Sequence, residues 1–289
     1  MAPLTLLLVL LWVGTTVSTV VDVHKRIIGG EDCNPTERLY HVKVTSSNRT
    51  HRTLCGGSLI NDQWVLTVAH CWKKGFNLSV VLGVHPGPGE KVDITTEPEI
   101  YRKRHIFRKK IHDIMLLRLP VTTQIEPIDL ADCNAKPELG DKDLSGVHGP
   151  PQAPQAPVTL QIDTMGHEVQ IAGHASTRTG NNKERITGES RTLQCVNVNT
   201  VDCTRLRELK KDTPRNYQHW FCGQADGKDS SRGDSGGGVV YNGQIYGVIS
   251  FTGDPVYATK EAIGFIDLCH PGYLQWIETT IATPERKQM

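Results

Sequence analysis

The sequence predicts an all-β barrel architecture, and three observations support that prediction. Short apolar or alternating segments recur with turn signals between them, helical periods are few, and Asn242-Gly243 is a strong signal for a two-residue hairpin turn. Many short strands of this kind are typical of a β-barrel. The predicted strand segments are 40–45, 64–69, 78–84, 114–119, 169–172, 193–198 and 239–251.

Two segments have a helical pattern instead of an alternating one. Residues 204–211 form the first, and residues 272–281 form the second, at the C-terminal end. The second places Leu274, Ile277 and Ile281 on one face of a helix, as expected for a helix packed against a sheet.

The N-terminal segment has the pattern of a secretory leader followed by a propeptide. Residues 4–13 are apolar and residues 14–18 are small, which predicts a signal peptide over 1–18, although its first residues carry no Lys or Arg. Ten apolar residues are fewer than the ~20 that span a bilayer, so no membrane span is expected. The segment 19–26 ends in Lys25-Arg26, a dibasic processing site, and secretion is the expected destination. Storage in secretory granules is left open.

The charge balance argues against general binding to nucleic acid. Of 32 basic and 31 acidic residues, only Asp22, Lys25 and Arg26 lie in residues 1–26, so 30 of each sign remain in the 263-residue mature chain. A monomer is expected.

The eight cysteines all lie after residue 26, and an even number in a secreted chain predicts disulfides. Eight cysteines allow 105 pairings, so the sequence alone does not choose among them. No cysteine spacing is that of a zinc site. Asn48 and Asn77 begin glycosylation sequons, whereas Asn34 is followed by Pro35 and should stay unmodified.

The most informative run is Arg232-Gly233-Asp234-Ser235-Gly236-Gly237-Gly238. Glycines on both sides of a serine expose the backbone, which suits a nucleophilic hydroxyl beside an oxyanion-binding site. A serine is a weak nucleophile without a base, so the interpretation requires a histidine and an acid elsewhere. His70, in Ala-His-Cys, and Asp113, in Asp-Ile-Met-Leu-Leu, are the candidates.

These three motifs, in the order His, Asp, Ser, resemble the chymotrypsin/trypsin family of serine proteases. The resemblance covers nearly all of residues 27–281 and implies a peptidase domain over about 27–283. Its fold would be two antiparallel six-stranded Greek-key β-barrels, about 27–130 and 131–270, followed by a C-terminal helix over about 272–281. The active site would lie between the barrels.

The resemblance also implies the role of each motif residue. Ser235 would attack the scissile carbonyl, His70 would transfer the proton, and Asp113 would hold the imidazole tautomer. The N–H groups of Gly233 and Ser235 would bind the oxyanion.

The same resemblance implies activation by proteolysis and a set of disulfides. An activating protease would cut the inactive zymogen after Arg26, and the new α-amino group of Ile27 would pair with Asp234. The implied disulfides are Cys33–Cys195, Cys55–Cys71, Cys133–Cys269 and Cys203–Cys222.

The residue six before the nucleophile would form the floor of the specificity pocket. Here it is Asp229, which implies cleavage of protein or peptide substrates after Arg or Lys, unless it is a surface acid beside Lys228. The wall Ser250-Phe251-Thr252 resembles the family's Ser-Trp-Gly, and Thr252 would narrow the entrance.

Two other departures qualify the pocket. Ser231 replaces a cysteine usual in the family, and Arg232 at the rim should disfavour basic residues near the cleaved bond. The expected calcium loop lacks oxygen side chains at residues 85–89, so no metal or other cofactor is expected.

Two further segments carry open alternatives. Residues 143–168 contain four prolines and are expected to form a surface insertion between the barrels, either an exosite or a tolerated addition. The basic run 102–110 is either a solvated loop or a site for a heparin-like polyanion. A catalytically weak or dead homologue that binds polyanions is therefore the alternative function, and the complete Ser-His-Asp set favours the enzyme.

Overall fold

The structure is a computed structural model that describes residues 27–104, 109–137, 166–176, 178–213 and 216–283. The predicted signal peptide 1–18, the propeptide 19–26 and most of the insertion 143–168 lie outside the described residues. Fourteen strands and two α-helices are described. In chain order the strands are β1 Glu31–Asp32, β2 His41–Ser47, β3 Arg52–Leu59, β4 Trp64–Thr67, β5 Asn77–Leu82, β6 Glu90–Ile94, β7 Glu99–Arg104, β8 Lys109–Arg118, β9 Glu168–Ala175, β10 Glu189–Val201, β11 Trp220–Gln224, β12 Gly238–Tyr241, β13 Gln244–Phe251 and β14 Ile263–Asp267.

The C-terminal half of the chain forms a closed barrel. Its strand order is β1-β10-β11-β14-β13-β12-β9, and an additional β9–β10 pairing joins the two ends of a six-stranded ring. All pairings are antiparallel. Strand β1 is added at the side of this ring through β10, so the first described strand pairs with the C-terminal sheet. The predicted all-β fold is confirmed.

The N-terminal sheet has seven strands, in the order β6-β5-β2-β3-β4-β8-β7. Six were expected, and the seventh arises because residues 95–98 separate β6 from β7. This break ends at Pro98, whose missing N–H cannot donate to a sheet ladder.

One hydrophobic cluster spans both sheets. Buried residues of the N-terminal sheet, such as Val44 and Leu116, belong to the same hydrophobic cluster as Ile245 and Ile266 of the C-terminal barrel. The alternation of β2, in which Val42 and Val44 are fully buried, follows the two-residue period of a strand with one core-facing side. This shared core fixes the relative position of the loops at the junction of the sheets.

Both predicted helices are confirmed, with bounds α1 Thr204–Lys210 and α2 Pro271–Ala282. Helix α2 begins at a proline, and the His270 Nδ1 atom accepts a hydrogen bond from the Gly272 N–H. Its fully buried residues are Tyr273 and Ile277, while Leu274 is half-buried. Among the described helices none is long and apolar enough to cross a membrane.

The eight cysteines form four disulfides, and these are the pairs that the resemblance implies: Cys33–Cys195, Cys55–Cys71, Cys133–Cys269 and Cys203–Cys222. The Cys55–Cys71 bridge joins β3 to the short 3₁₀ turn 69–71. Cross-links of this kind stabilise the fold mainly by restricting the unfolded chain.

Candidate active site

Three separate elements bring His70, Asp113 and Ser235 to the junction of the two sheets. His70 lies in the turn that follows β4, and Asp113 lies within β8, which pairs directly with β4. Ser235 lies in the loop before β12, in the C-terminal half. Each sheet therefore contributes to one site.

Asp113 holds His70 through two hydrogen bonds. Its Oδ1 atom accepts from the His70 backbone N–H at 2.8 Å, and its Oδ2 atom lies 2.8 Å from the His70 Nδ1 atom. The Asp113 side chain is 3% exposed and the His70 side chain 24%. A carboxylate at Nδ1 favours the tautomer protonated there, which leaves Nε2 free to accept a proton.

Two further residues, Ser250 and Gln218, form hydrogen bonds with Asp113. The Ser250 hydroxyl donates to Asp113 Oδ2 at 2.7 Å, and the Gln218 Oε1 atom accepts from the Asp113 N–H at 3.0 Å. The sequence placed Ser250 in the pocket wall, whereas its hydroxyl is directed at the carboxylate. Gln218 carries no local sequence signal, because its role depends on a partner 105 residues away.

Ser235 is placed beside the histidine turn by its own backbone. Its carbonyl accepts from the Gly56 N–H at 2.8 Å and lies 3.9 Å from the Cys71 Sγ atom, next in sequence to His70. Within the described part of the chain, the Ser235 hydroxyl makes no hydrogen bond to His70. Such contacts are often loose without substrate and tighten in the complex.

The loop around Ser235 requires glycine at two positions. Gly233 has φ of +116° and Gly236 has φ of +92°. A Cβ atom on Gly236 would lie 2.1 Å from the Gly56 carbonyl oxygen and 2.3 Å from the Thr67 Oγ1 atom. The loop can therefore approach β3 only with glycine there. Arg232, predicted at the rim, is exposed.

Asp234 is fully buried in the intact chain and is hydrogen-bonded by backbone amides. Its Oδ1 atom accepts from the Ala175 N–H at 2.9 Å, and its Oδ2 atom accepts from the Ser231 N–H at 2.7 Å. Burial raises the pKa of Asp234 to about 6, because the charged form is desolvated. A Cβ atom at Gly173 would lie 2.0 Å from Oδ1, so that glycine makes room for the carboxylate.

Ile27 is fully buried in the core of the C-terminal barrel, with φ of +47°. In the intact chain its nitrogen is part of the peptide bond to Arg26. Its pairing with Asp234 after cleavage stays a prediction, and Arg26 lies outside the described residues.

Asp229 is also buried, at 1% side-chain exposure, and one of its carboxylate oxygens accepts hydrogen bonds from other residues of the chain. The Oδ2 atom accepts from the Arg185 Nη2 atom at 2.5 Å and from the Thr259 N–H at 2.7 Å. The Asp229 N–H donates to the Ile28 carbonyl at 3.0 Å, which ties the loop of Asp229 to the segment after Arg26. Burial raises the pKa of Asp229, and the Arg185 guanidinium opposes that rise.

Arg185, which the sequence did not single out, lies in the loop between β9 and β10 and is 5% exposed at its side chain. Its Nε atom donates to the Asp254 carbonyl at 2.9 Å, and its Nη1 atom donates to the Ser230 carbonyl. One basic residue in a polar loop gives no signal of burial, because burial follows from how two distant loops meet.

The other residues that the sequence predicts in the pocket, Phe251, Thr252 and Ser231, are all partly or fully buried. Thr252 is half-buried, and the Phe251 ring packs on Gly264, where a Cβ atom would lie 2.3 Å from the Phe251 Cζ atom. Ser231 is buried, and within the described residues its hydroxyl has no hydrogen-bond partner.

The described cluster with metal-ligand types consists of His70 and the Cys55–Cys71 pair. Both sulfurs belong to a disulfide, so they lack the thiolate form that binds metal. The expected absence of a metal stays a prediction.

Two further predictions concern glycosylation and the basic run. Asn48 and Asn77 are both exposed, as acceptors of glycans must be. The basic run occupies the end of the β7–β8 hairpin, where Lys103 pairs with Lys110 and Arg104 with Lys109. Residues 105–108 of the run lie outside the described residues.

Comparisons with known proteins agree with this architecture. A family model described as Trypsin matches residues 27–277. Snake venom serine protease gussurobin of Gloydius ussuriensis is 30% identical over 269 residues, which cover 89% of this chain and 87% of that protein. Thrombin-like enzyme gloshedobin of Gloydius shedaoensis is 30% identical over 267 residues, with the same coverage. The crystal structure of the scabies mite inactivated protease paralogue S-D1 has a TM-score of 0.64 at 19% identity, covering 90% of this chain and 100% of that one.

Proposed function

Because the chain belongs to the trypsin family of serine proteases, we propose that it is a secreted serine endopeptidase made as a zymogen. Ser235 attacks the scissile carbonyl, and His70 Nε2 takes the hydroxyl proton and returns it to the leaving amine. Water then hydrolyses the acyl-enzyme with the same histidine as base. The Gly233 and Ser235 N–H groups stabilise the oxyanion, each contributing typically ~3 kcal/mol.

The observation that carries this proposal is the double contact between Asp113 and His70. The carboxylate accepts both the backbone N–H and the Nδ1 of the histidine at 2.8 Å. A structural ion pair needs only one such contact, whereas two fix the position of the ring as well as its tautomer. That restraint is what a general base requires.

Activation follows cleavage after Arg26. The freed Ile27 amine neutralises Asp234, whose carboxylate is costly to keep charged in its buried site. Asp234 directly precedes Ser235, so this pairing changes the loop that carries the oxyanion-binding amides.

The proposed cleavage site follows Arg or Lys, because Asp229 is the acid beside the nucleophile loop. The name of the thrombin-like relative is compatible with such a preference. The Arg185–Asp229 ion pair means that an incoming basic side chain meets a carboxylate that already has a partner.

The test begins with cleavage of the purified chain after Arg26 by an added arginine-specific protease. The converted chain should hydrolyse peptide amides after Arg or Lys, and an organophosphate should label Ser235. A Ser235→Ala variant, converted in the same way, is the control. Absence of both labelling and turnover in the parent would rule out the enzyme, and turnover only after apolar residues would rule out the role of Asp229.

A second candidate function is polyanion binding by the β7–β8 hairpin. Like charges placed opposite each other destabilise a strand pair, and the register places Lys103 opposite Lys110 and Arg104 opposite Lys109. A bound polyanion would relieve that repulsion. Heparin retention that falls when Lys103 and Lys110 are replaced by Gln, and not when Lys73 and Lys74 are, would support this role.

A further inference from the structure

We propose that Arg185 is an internal occupant of the specificity pocket, which competes with the basic side chain of the substrate for Asp229. This inference rests on the proposed function and names the regulation of that same site. The guanidinium of Arg185 has the chemistry that the pocket is proposed to recognise, since it pairs with the buried carboxylate from within the chain.

The first support is how completely Arg185 is held. Its three guanidinium nitrogens bond to the Asp229 carboxylate, the Ser230 carbonyl and the Asp254 carbonyl. Asp229 and Ser230 lie in the segment that the sequence assigns to the floor of the pocket, and Asp254 lies two residues after the predicted wall Ser250-Phe251-Thr252. A surface arginine that met an acid by chance would keep its guanidinium largely hydrated, whereas this side chain is 5% exposed.

The second support is the backbone that positions the arginine. The Arg185 N–H donates to the Val256 carbonyl, and the Ala258 N–H donates to the Lys183 carbonyl, both at 2.9 Å. The loop of Arg185 is therefore attached to the 254–258 segment on both sides of the residue. Thr259, which follows that segment, donates to the same Asp229 oxygen.

The third support is that the arginine leaves part of the pocket unsatisfied. Three buried polar atoms of consecutive residues have no hydrogen-bond partner within the described chain, namely Asp229 Oδ1, Ser230 Oγ and Ser231 Oγ. Buried polar groups are ordinarily hydrogen-bonded, and an unpaired set is a place where a ligand gains contacts. A guanidinium or amidinium ligand can bond both carboxylate oxygens at once, as a bidentate pair does.

Competition of this kind makes the pocket selective. A basic substrate side chain binds only in the fraction of molecules in which Arg185 has moved away, so its apparent affinity falls by that fraction. Substrates with additional contacts outside the pocket can offset this loss, and small substrates cannot. The pocket is therefore expected to discriminate against short basic peptides.

The experiment measures binding of benzamidine, an aromatic amidinium, to chains converted after Arg26. The background is Ser235→Ala, so that the converted chains do not digest themselves. Arg185→Ala in this background should bind benzamidine about tenfold or more tightly than the background alone, measured by calorimetry. Arg178→Ala is the matched control, because Arg178 is an exposed arginine of the same loop and should change nothing.

Two further variants make the result decisive. Adding Asp229→Asn to Arg185→Ala should abolish the gained affinity, which would show that the carboxylate is the receptor. Arg185→Gln keeps hydrogen-bond donors for the two carbonyls and removes the charge, so it serves if the alanine variant does not fold. Unchanged or weaker benzamidine binding in the folded variant would overturn the proposal.

The outcome is separable from that of the proposed function. In one outcome the converted parent fails to react with an organophosphate, while the Arg185 variant gains affinity for benzamidine. That result would contradict the proposed enzyme activity and support the role of Arg185. Organophosphate labelling of the parent without any gain in benzamidine affinity in the variant would support the enzyme activity and contradict the role of Arg185.

Discussion

Asp113 and Asp229 are two buried aspartates of similar exposure, 3% and 1%, and they differ in what their partners leave free. Asp113 pairs with His70, whose other ring nitrogen remains available for proton transfer. Asp229 pairs with Arg185, each of whose three guanidinium nitrogens donates a hydrogen bond to the chain. Burial and an oppositely charged partner are therefore not enough to define the role of an aspartate. That role depends on which atoms of the partner remain free to react or bind.

The two sites also differ in how well they are satisfied. Each oxygen of Asp113 accepts a bond from His70, and Oδ2 accepts a further one from Ser250. Asp229 has its described bonds on Oδ2, and its Oδ1 atom has no hydrogen-bond partner among the described residues. A satisfied site is held in one geometry, whereas a half-satisfied site retains the capacity to bind something else.

Replacing Asp113 by Asn should give the largest effect on the triad side. The amide would present its NH₂ group to Nδ1 or to the His70 N–H, which favours the wrong imidazole tautomer. The kcat of the converted enzyme should fall on the order of 10⁴-fold. Asp62→Asn, at an exposed aspartate in the β3–β4 turn, should leave kcat unchanged. A fall below tenfold would contradict the role assigned to Asp113.

Replacing Asp234 by Asn tests the connection between activation and the nucleophile loop. An amide cannot form an ion pair with the Ile27 amine, so cleavage after Arg26 should no longer order the oxyanion-binding amides. Activity after conversion should fall about 10²-fold or more, as when an oxyanion donor is lost. The measurement is amide hydrolysis before and after cleavage, with exposed Asp226→Asn as control. Full activation of the Asp234→Asn variant would refute the pairing.

Replacing Ser250 by Ala separates support of Asp113 from lining of the pocket. The change removes a buried hydrogen bond to a charged group, which is worth about 1.5–3 kcal/mol, so kcat should fall roughly tenfold or more. A loss confined to kcat, equal for basic and apolar substrates, is expected from support of the triad. A change in the preference between basic and apolar substrates would instead indicate that Ser250 lines the specificity pocket.

The fold could be predicted, and the candidate residues His70, Asp113 and Ser235 could be selected, because their sequence signals are local. Strand alternation, the Asn242-Gly243 turn and the three short motifs each occupy a few consecutive residues. Ser250 was recognised as well, although its hydroxyl contacts Asp113 rather than a substrate.

The Arg185–Asp229 pair was not predictable, because its members are 44 residues apart. An arginine in a polar loop has the same sequence pattern whether it is solvated or buried. Only the contact between the loop of Arg185 and the 254–258 segment decides between the two. Gln218 was missed for the same reason, since it lies in the loop before β11 and its partner Asp113 is 105 residues away.

A change at Gly29 tests whether the segment after Arg26 supports the pocket. Gly29 has φ of +75°, and a Cβ atom there would lie 2.3 Å from the Gly227 carbonyl oxygen, two residues before Asp229. Gly29→Ala should lower the free energy of unfolding by about 1–3 kcal/mol. Gly75→Ala is a matched control, since its φ is +85° and a Cβ atom there would have nothing within 4 Å. An equal decrease in melting temperature in both variants would mean that backbone strain alone causes the effect.

The smallest expected effect is a pH dependence of stability on the triad side, from His112, the neighbour of Asp113. Burial, together with the nearby His219, Lys103, His270 and Lys110, lowers the pKa of His112 to about 4. The unfolded chain binds this proton near pH 6.5 and the folded chain does not until about pH 4, so stability falls as the pH drops through that window. His174 and His219 shift in the same direction, whereas Asp234, with its pKa raised to about 6, opposes them between about pH 6 and 4.

His112→Gln isolates this contribution, because glutamine can still bond the Tyr273 hydroxyl that lies 2.6 Å from the His112 Nδ1 atom. Urea unfolding at pH 7 and pH 5 should show that the free energy of unfolding falls less in this variant than in the parent. The difference should correspond to the uptake of up to about one proton on unfolding. His51→Gln, at an exposed histidine, should retain the loss seen in the parent. An identical pH dependence in the parent and in the His112→Gln variant would mean that burial of His112 does not disfavour its protonation. Burial on the triad side would then contribute nothing to the pH dependence of stability.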